Sequence, residues 1–178
     1  MSDLNDKTDE ELLQLSGNKD SVGKREVLSL LLDRHYNWIF KMCLAHLKHT
    51  QTAEDCAQEI VIQVAKSLHN FKHQSKFSTW LYTITKRNIL KAKVKKFLQF
   101  QRETSQEVDV ATEIKLNEDS TLWHDIQRLP EKQKDILVLH YFEDKSIEQI
   151  AEQVKISVGT VKSHLFKARN NLKKYIEE

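Results

Sequence analysis

Three glycines and one proline in 178 residues leave this chain few places to turn sharply. Hairpins need residues that accept positive φ or a fixed φ at their corners, and here Gly17, Gly23, Gly159 and Pro130 are all there are. Long helices linked by short polar turns are the economical alternative, so the expected fold class is all-α. A chain of 178 residues suits one ordinary domain or two small ones. No stretch approaches the roughly 18 to 20 consecutive apolar residues of a membrane span, and the N-terminus lacks the apolar core of a secretion signal. The expectation is a cytoplasmic protein without membrane insertion.

The formal net charge of +2 says little about partners, whereas its distribution says more. Between Ile60 and Arg102 there is no Asp or Glu, while Lys66, Lys72, Lys76, Lys86, Arg87, Lys91, Lys93, Lys95, Lys96 and Arg102 accumulate. The sign then reverses through Glu103, Glu107, Asp109, Glu113, Glu118 and Asp119, against Lys115, before a second acid-free basic stretch from Ile156 to Ile176. Two basic segments joined by an acidic tether fit a protein that grips a polyanion at two places while its linker is kept off it.

Helix signals are readable along the chain. Thr8 and Glu11 make a capping box ahead of Leu12, Leu13 and Leu15, in a helix that ends near Gly17. Apolar residues from Val27 to Ala45 recur at helical spacing, predicting a helix over about Arg25 to Lys48. Thr52 is the expected cap of the next helix. Its apolar stripe is Ala53, Ala57, Ile60, Val61, Val64 and Leu68, and Asp55, Gln58, Glu59, Ile62 and Lys66 project from the other side. Such a polar row is ordinarily a solvated face, but a branched apolar residue among charges, here Ile62, is an interface-like mixture. After a polar and basic loop, Phe77-Ser78-Thr79-Trp80-Leu81 opens a helix that turns strongly basic past Lys86. Aromatics beside cations suit single-stranded nucleic acid, since bases stack on rings while phosphates pair with Lys and Arg. The competing reading, a plain core role, is preferred for Phe77 and Leu81.

Residues 101–120 have weak periodicity and an acidic bias, as a flexible linker would. Beyond it, Pro130 stands at a helix start and predicts a helix over Glu131 to Glu143, buried through Ile136, Leu137, Leu139 and either His140 or Tyr141. Ser146 and Gln149 then form a capping box for a short helix with Ile147, Ile150, Ala151 and Val154 on its inner side. A tight Lys155-Ile156-Ser157 turn follows, and Ser157 caps a helix from Val158 to about Ile176 whose buried stripe is Val158, Val161, Leu165, Ala168 and Leu172. Two short helices, a small residue at Ala151, a three-residue turn and a capped second helix make a DNA-reading helix-turn-helix. On its outward face lie Thr160, Ser163, His164, Lys167, Asn170 and Asn171, with Lys162 and Phe166 on the flank. Lys162 or Lys167 can donate to guanine or phosphate, Ser163 can bond either, and Phe166 either touches a thymine methyl or packs on the preceding helix.

Other chemistries find little support. Cys43 and Cys56 have neither zinc-site nor disulfide-scaffold spacing and read as small core residues. His46 with His49, or His69 with His73, could share a helix face, but neither pair has a Cys or carboxylate nearby to complete a metal shell. No Walker loop, paired metal-binding carboxylates or Ser/His/Asp set is recognisable, which argues against an enzyme and against a cofactor.

With these motifs in view, the chain resembles the extracytoplasmic-function group of bacterial sigma-70-like factors over nearly its whole length. The N-terminal half is similar through Thr52-Ala53-Glu54-Asp55-Cys56-Ala57-Gln58-Glu59 and Phe77-Ser78-Thr79-Trp80-Leu81-Tyr82. The C-terminal half is similar through Leu129-Pro130, Ile147-Glu148-Gln149-Ile150-Ala151 and Val158-Gly159-Thr160-Val161-Lys162-Ser163. The resemblance implies two small helical domains, a region 2-like domain over 1–100 and a region 4-like helix-turn-helix domain over 121–178, joined by a linker over 101–120. It implies a transcription initiation factor that binds core RNA polymerase, at the clamp of the largest subunit and the flap of the second subunit, and directs it to promoter DNA. Asp55, Gln58, Glu59 and Ile62 would meet the polymerase. Lys76, Trp80, Lys86, Arg87, Asn88 and Lys91 would bind and open the −10 element. Thr160, Lys162, Ser163, His164, Phe166 and Lys167 would read the −35 element. An anti-sigma partner is implied as well. The family places Asn seven residues after the tryptophan, where this chain has Arg87 followed by Asn88. The alternative is a one-component helix-turn-helix regulator, which would bind a palindromic duplex without polymerase.

Overall fold

In the computed structural model, which describes residues 4–17, 21–103 and 119–177, eight α-helices and one 3₁₀ turn make up the regular structure. The N-terminal group is α1 (Asp9–Gly17), α2 (Ser21–His46), α3 (Thr50–Ser67) and α4 (Phe77–Glu103), with the 3₁₀ turn Leu68–Asn70 after α3. The C-terminal group is α5 (Asp119–Arg128), α6 (Glu131–Tyr141), α7 (Ile147–Val154) and α8 (Val158–Glu177). Most of the expected linker, residues 104–118, lies outside the described residues.

The first helix is closed by the predicted capping box: Glu11 N donates to Thr8 Oγ1 at 3.3 Å, and Thr8 N donates to Glu11 Oε2 at 2.7 Å. Asp9 then ties α1 to α2 through Arg34 Nη1 at 3.3 Å and His35 Nε2 at 2.6 Å. Two boundaries differ from the sequence expectation. α2 begins at Ser21 rather than near Arg25, and α3 begins at Thr50 with His49, in extended backbone, at its N-cap position. Thr52 therefore lies inside the first turn of α3 instead of capping it, because the chain turns into the helix before it can act.

Trp38, Ile39 and Met42 of α2, Ala57, Ile60 and Val64 of α3, and Phe77 and Leu81 of α4 pack into the first core. Burying each large side chain stabilises the fold by about 1.5–3 kcal/mol before entropy is counted. Cys43 and Cys56 are small members of the same core.

α6 occupies an unusual place. Gln133, Lys134 and Asp135 are buried along with Ile136, Leu137, Val138 and Leu139, so two full turns of this helix have no solvent face. A helix buried all round must be packed on opposite sides by different elements: α7 and α8 cover one side, and α2 covers another. The two helical groups are thus docked on each other. α6 ends at Tyr141, two residues short of the expected Glu143. His140 rather than Tyr141 turns inward, and the Tyr141 side chain is half exposed.

Candidate nucleic-acid interface and partner surfaces

The helix-turn-helix is assembled from local hydrogen bonds. Gln149 N donates to Ser146 Oγ at 3.2 Å, and Ser146 N donates to Gln149 Oε1 at 2.9 Å, closing the start of α7. α7 stops because Lys155 takes a left-handed conformation, φ 56° and ψ 51°, which turns the chain within three residues. Thr160 N then donates to Ser157 Oγ at 3.1 Å, so Ser157 caps α8 as expected. Ile150, Ala151 and Val154 of α7 meet Val161, Leu165 and Ala168 of α8 in the second core. With that stripe inside, Thr160, Lys162, Ser163, Phe166 and Lys167 stand exposed on the opposite side. Phe166, at 66% exposure, does not pack on the preceding helix. His164 is half-buried, and its Nδ1 is enclosed without a hydrogen-bond partner, which leaves it at the edge of this face.

The basic helix α4 begins at an aromatic cluster. Trp80 is half-buried against Phe71 at 5.2 Å and Phe77 at 5.7 Å between ring centroids, while Phe77 itself is core. Arg87 and Lys91 are exposed about two and three turns further along. Asn88 is not. At 5% exposure its amide donates to Gln63 Oε1 at 2.8 Å and to the Ile84 carbonyl at 2.9 Å, so it fastens α4 to α3. The expectation that Asn88 presents itself to DNA is corrected: helical phase carries it to the Leu81 and Ile84 side. Lys76 and Lys86 are on the expected surface but already have acidic neighbours, described below.

On α3, Asp55, Gln58, Glu59 and Ile62 form an exposed strip, with the Ile62 side chain 52% accessible. The C-terminal group carries an apolar groove of about 500 Å³ between α5, α6 and α8, lined by Leu122, Ile126, Leu137, Tyr141, Leu172 and Ile176 among others.

One cluster was not anticipated from the sequence. Asp135 of α6 lies between the two helical groups, where its Oδ1 is 2.6 Å from His46 Nε2 of α2 and accepts from Lys86 Nζ of α4 at 2.9 Å. Its Oδ2 accepts from the Tyr82 hydroxyl at 2.6 Å. One turn earlier, Glu131 accepts from Lys93 Nζ at 2.7 Å and has His46 Nδ1 at 2.7 Å from Oε2, a close contact outside hydrogen-bond angles and therefore chiefly electrostatic. Lys86 and Lys134 also approach Glu131, at 3.7 and 3.6 Å. Burial alone would push the Asp135 carboxyl up, yet His46, Lys86 and Tyr82 outweigh it and hold it below its usual value. His46 and Lys93 hold Glu131 well below the carboxylate range. The same burial beside Asp135 pushes the Tyr82 hydroxyl upward. Further along, Lys76 Nζ meets Glu152 Oε2 of α7 at 2.6 Å, and Gln127 of α5 donates to the Leu44 and Leu47 carbonyls at the end of α2. These pairs join residues far apart in sequence, and the only local sign was a carboxylate at a buried helical phase in Asp135-Ile136-Leu137.

No helix among the described residues is long and apolar enough to cross a membrane. The family model of sigma-70 region 2 matches residues 31–96, and that of sigma-70 region 4 matches residues 122–172. The chain is 28% identical over 172 residues to the ECF RNA polymerase sigma factor SigW of Bacillus subtilis, covering 88% of this chain and 92% of that one. It is 30% identical over 175 residues to the RNA polymerase sigma-H factor of Pseudomonas aeruginosa, covering 87% and 89%. Its fold is similar to that of the sigma factor RpoE in complex with the anti-sigma factor NepR from Bartonella quintana, with a TM-score of 0.65 at 19% identity over 84% of this chain and 96% of that one. It is similar too to CnrH in complex with the cytosolic domain of CnrY, with a TM-score of 0.64 at 17% identity over 95% and 97%. Region 2 and region 4 therefore correspond to the two helical groups, and the chain belongs to the extracytoplasmic-function group of the sigma-70 family, the transcription initiation factors that direct RNA polymerase to promoters.

Proposed function

We propose a division of labour among three surfaces of this sigma factor. Asp55, Gln58, Glu59 and Ile62 on α3 bind the clamp of the polymerase largest subunit. The α8 face of Thr160, Lys162, Ser163, Phe166 and Lys167, with His164 at its edge, reads the −35 element. Lys76, Trp80, Lys86, Arg87 and Lys91 engage and open the −10 element, with Arg87 taking the outward position that Asn88 does not occupy. The protein works by binding, without a reaction or cofactor of its own, in the cytoplasm where polymerase and chromosome are.

The observation that carries this reading is the bare outward face of α8. Exposed donors and an aromatic at 66% exposure on the second helix of a helix-turn-helix match what base edges and thymine methyls require. The apolar groove between α5, α6 and α8 suits an amphipathic helix and is the place on this domain for the flap of the second subunit. An anti-sigma protein is a further expected partner, since the similar sigma factor RpoE was captured with the anti-sigma factor NepR.

The test is transcription from a promoter library by core polymerase, with and without the protein. Initiation that depends on the chain, at sites sharing spaced −35 and −10 elements, is expected. Lys167→Ala should lower promoter use about tenfold with polymerase affinity unchanged, in line with about 1–3 kcal/mol for a good base contact. Asp55→Ala and Glu59→Ala should do the reverse. Tight binding to a palindromic duplex with no stimulation of polymerase would instead establish the one-component regulator.

A further inference from the structure

Two thiols meet inside the N-terminal domain. Cys43 on α2 and Cys56 on α3 are both reduced and buried, at 0% and 3% exposure, and their side chains are hydrogen-bonded to each other where the two helices pack. Their surroundings differ. Cys43 lies wholly inside the core. Cys56 lines a cleft of about 410 Å³ between α3 and α4, with Asp55 and Glu59 on one wall and Lys91, Lys95 and Lys96 on the other. Among the side chains that line the cleft Cys56 is the buried one, so it forms the floor. The cleft therefore leads from solvent to one of the two sulfurs and stops there.

We propose that Cys56 is a site of oxidation by hydrogen peroxide, that Cys43 resolves it into a disulfide, and that this bond weakens polymerase binding through the α3 strip. The hydrogen bond sets the two roles. The Cys43 thiol donates to Cys56 and favours its thiolate, which holds Cys56 below its ordinary value in spite of burial and the Glu59 charge. The same hydrogen bond, together with burial, pushes Cys43 far up, so Cys43 keeps its proton. The Cys56 thiolate attacks one oxygen of the peroxide: an S–O bond forms, the O–O bond breaks, and the hydroxide released takes up the proton that Cys56 gave up. The product is a sulfenic acid. The Cys43 sulfur then attacks the Cys56 sulfur, the S–O bond breaks, and the departing hydroxide takes the Cys43 proton. Two thiols lose two electrons in all, and one peroxide becomes two waters.

The effect on polymerase rests on the reading of Asp55, Gln58, Glu59 and Ile62 as its binding surface. Cys56 directly follows Asp55 and shares a turn of α3 with Gln58 and Glu59, so a shift of its backbone moves the strip. Trading a hydrogen bond between the sulfurs for a covalent bond draws them together, and close-packed helices cannot absorb that without shifting against each other. At 3% exposure the Cys56 sulfur is open to an oxidant of two oxygen atoms, while thiol reagents with bulky groups, spin labels included, are kept out.

The reduced full-length chain is treated with hydrogen peroxide, alkylated after denaturation, digested and weighed. The expected product is a monomer in which the Cys43 and Cys56 peptides are joined and lighter by two hydrogens, and dithiothreitol separates them again. Cys43→Ala should instead gain oxygen on Cys56, and Cys56→Ala should leave Cys43 untouched. No disulfide, a disulfide between two chains, or a Cys43 that oxidises as readily without Cys56 would overturn the proposal. The joined pair is read in the parent chain, so it does not depend on either variant folding. Oxidised chain, freed of peroxide, is then titrated with core polymerase, where a loss of about tenfold in affinity is expected, regained on reduction. Cys56→Ala should lose less than about twofold after the same treatment. Glu59→Ala in the reduced chain separates the switch from the reading beneath it. If Glu59→Ala weakens polymerase binding and the disulfide does not, the switch is wrong and the α3 surface stands. If the disulfide weakens binding and Glu59→Ala does not, the switch stands and the role of Glu59 falls.

Discussion

The amide of Asn88 has two partners inside the N-terminal domain, whereas its neighbour Arg87 reaches into solvent. The two should therefore fail differently. Asn88→Ala removes both bonds of a buried amide and leaves the half-buried Gln63 acceptor without its donor, at a cost of about 1–3 kcal/mol, and should lower the melting temperature. Arg87→Ala should leave the melting temperature unchanged and slow promoter opening. Thermal unfolding alongside a promoter-opening assay checks both, and a melting loss in Arg87→Ala with none in Asn88→Ala would reverse the assignment. The sequence contained a hint of this, since helical phase sets Asn88 beside Leu81 and Ile84. For Asp135 it offered only the buried helical phase and nothing of the partners His46, Tyr82 and Lys86, which lie 89, 53 and 49 positions away. Periodicity marks which residues turn inward, but it does not say what they meet there.

Among the elements, the helix-turn-helix was legible to the residue because its determinants are local. Ser146 with Gln149 and Ser157 with Thr160 act over three positions, so spacing alone reveals them. α3 shows the limit of that logic: Thr52 has the chemistry of a cap, but the backbone enters the helix at Thr50 and leaves His49 at the cap position. The turn between α7 and α8 contains a test of local strain. Lys155 holds φ 56°, which costs a side-chain-bearing residue about 1–2 kcal/mol and glycine almost nothing. Part of that gain is offset by the greater freedom of glycine in the unfolded chain. Lys155→Gly should thus raise stability by about 0.5–1 kcal/mol, read by denaturant unfolding, without altering −35 recognition. A loss of stability would mean that the lysine side chain itself holds the turn.

For the molecule as a whole, the docked arrangement should respond to acid and to salt. Asp135 and Glu131 sit below their ordinary values of 3.8 and 4.5 when docked. Their contribution to docking is fully present above those values and is lost as pH falls through the lower docked ones. The groups facing them are His46, Lys86, Lys93, Lys134 and Tyr82. The distance between spin labels on Lys66→Cys and Lys174→Cys, one in each helical group, should lengthen below about pH 4, and a separation constant down to full unfolding would contradict this. Salt acts unevenly. It weakens phosphate contacts and screens the exposed Lys76–Glu152 pair, while the buried Asp135 contacts are screened less. The all-helical class and the two-part organisation could be inferred from scarce turn residues and alternating charge. The face on which the parts meet could not, because it exists only once both have folded.

The helix α6 with no solvent side limits how freely such a protein can be recombined. A chimera that joined residues 119–177 of this chain to the N-terminal half of a relative would import Asp135 and Glu131 without any guarantee of His46, Tyr82, Lys86 and Lys93. A buried carboxylate deprived of its partners costs about 3–5 kcal/mol, so the imported domain would be held apart from its new neighbour by its own chemistry. Hybrids built this way would exchange promoter choice together with the way the two domains meet.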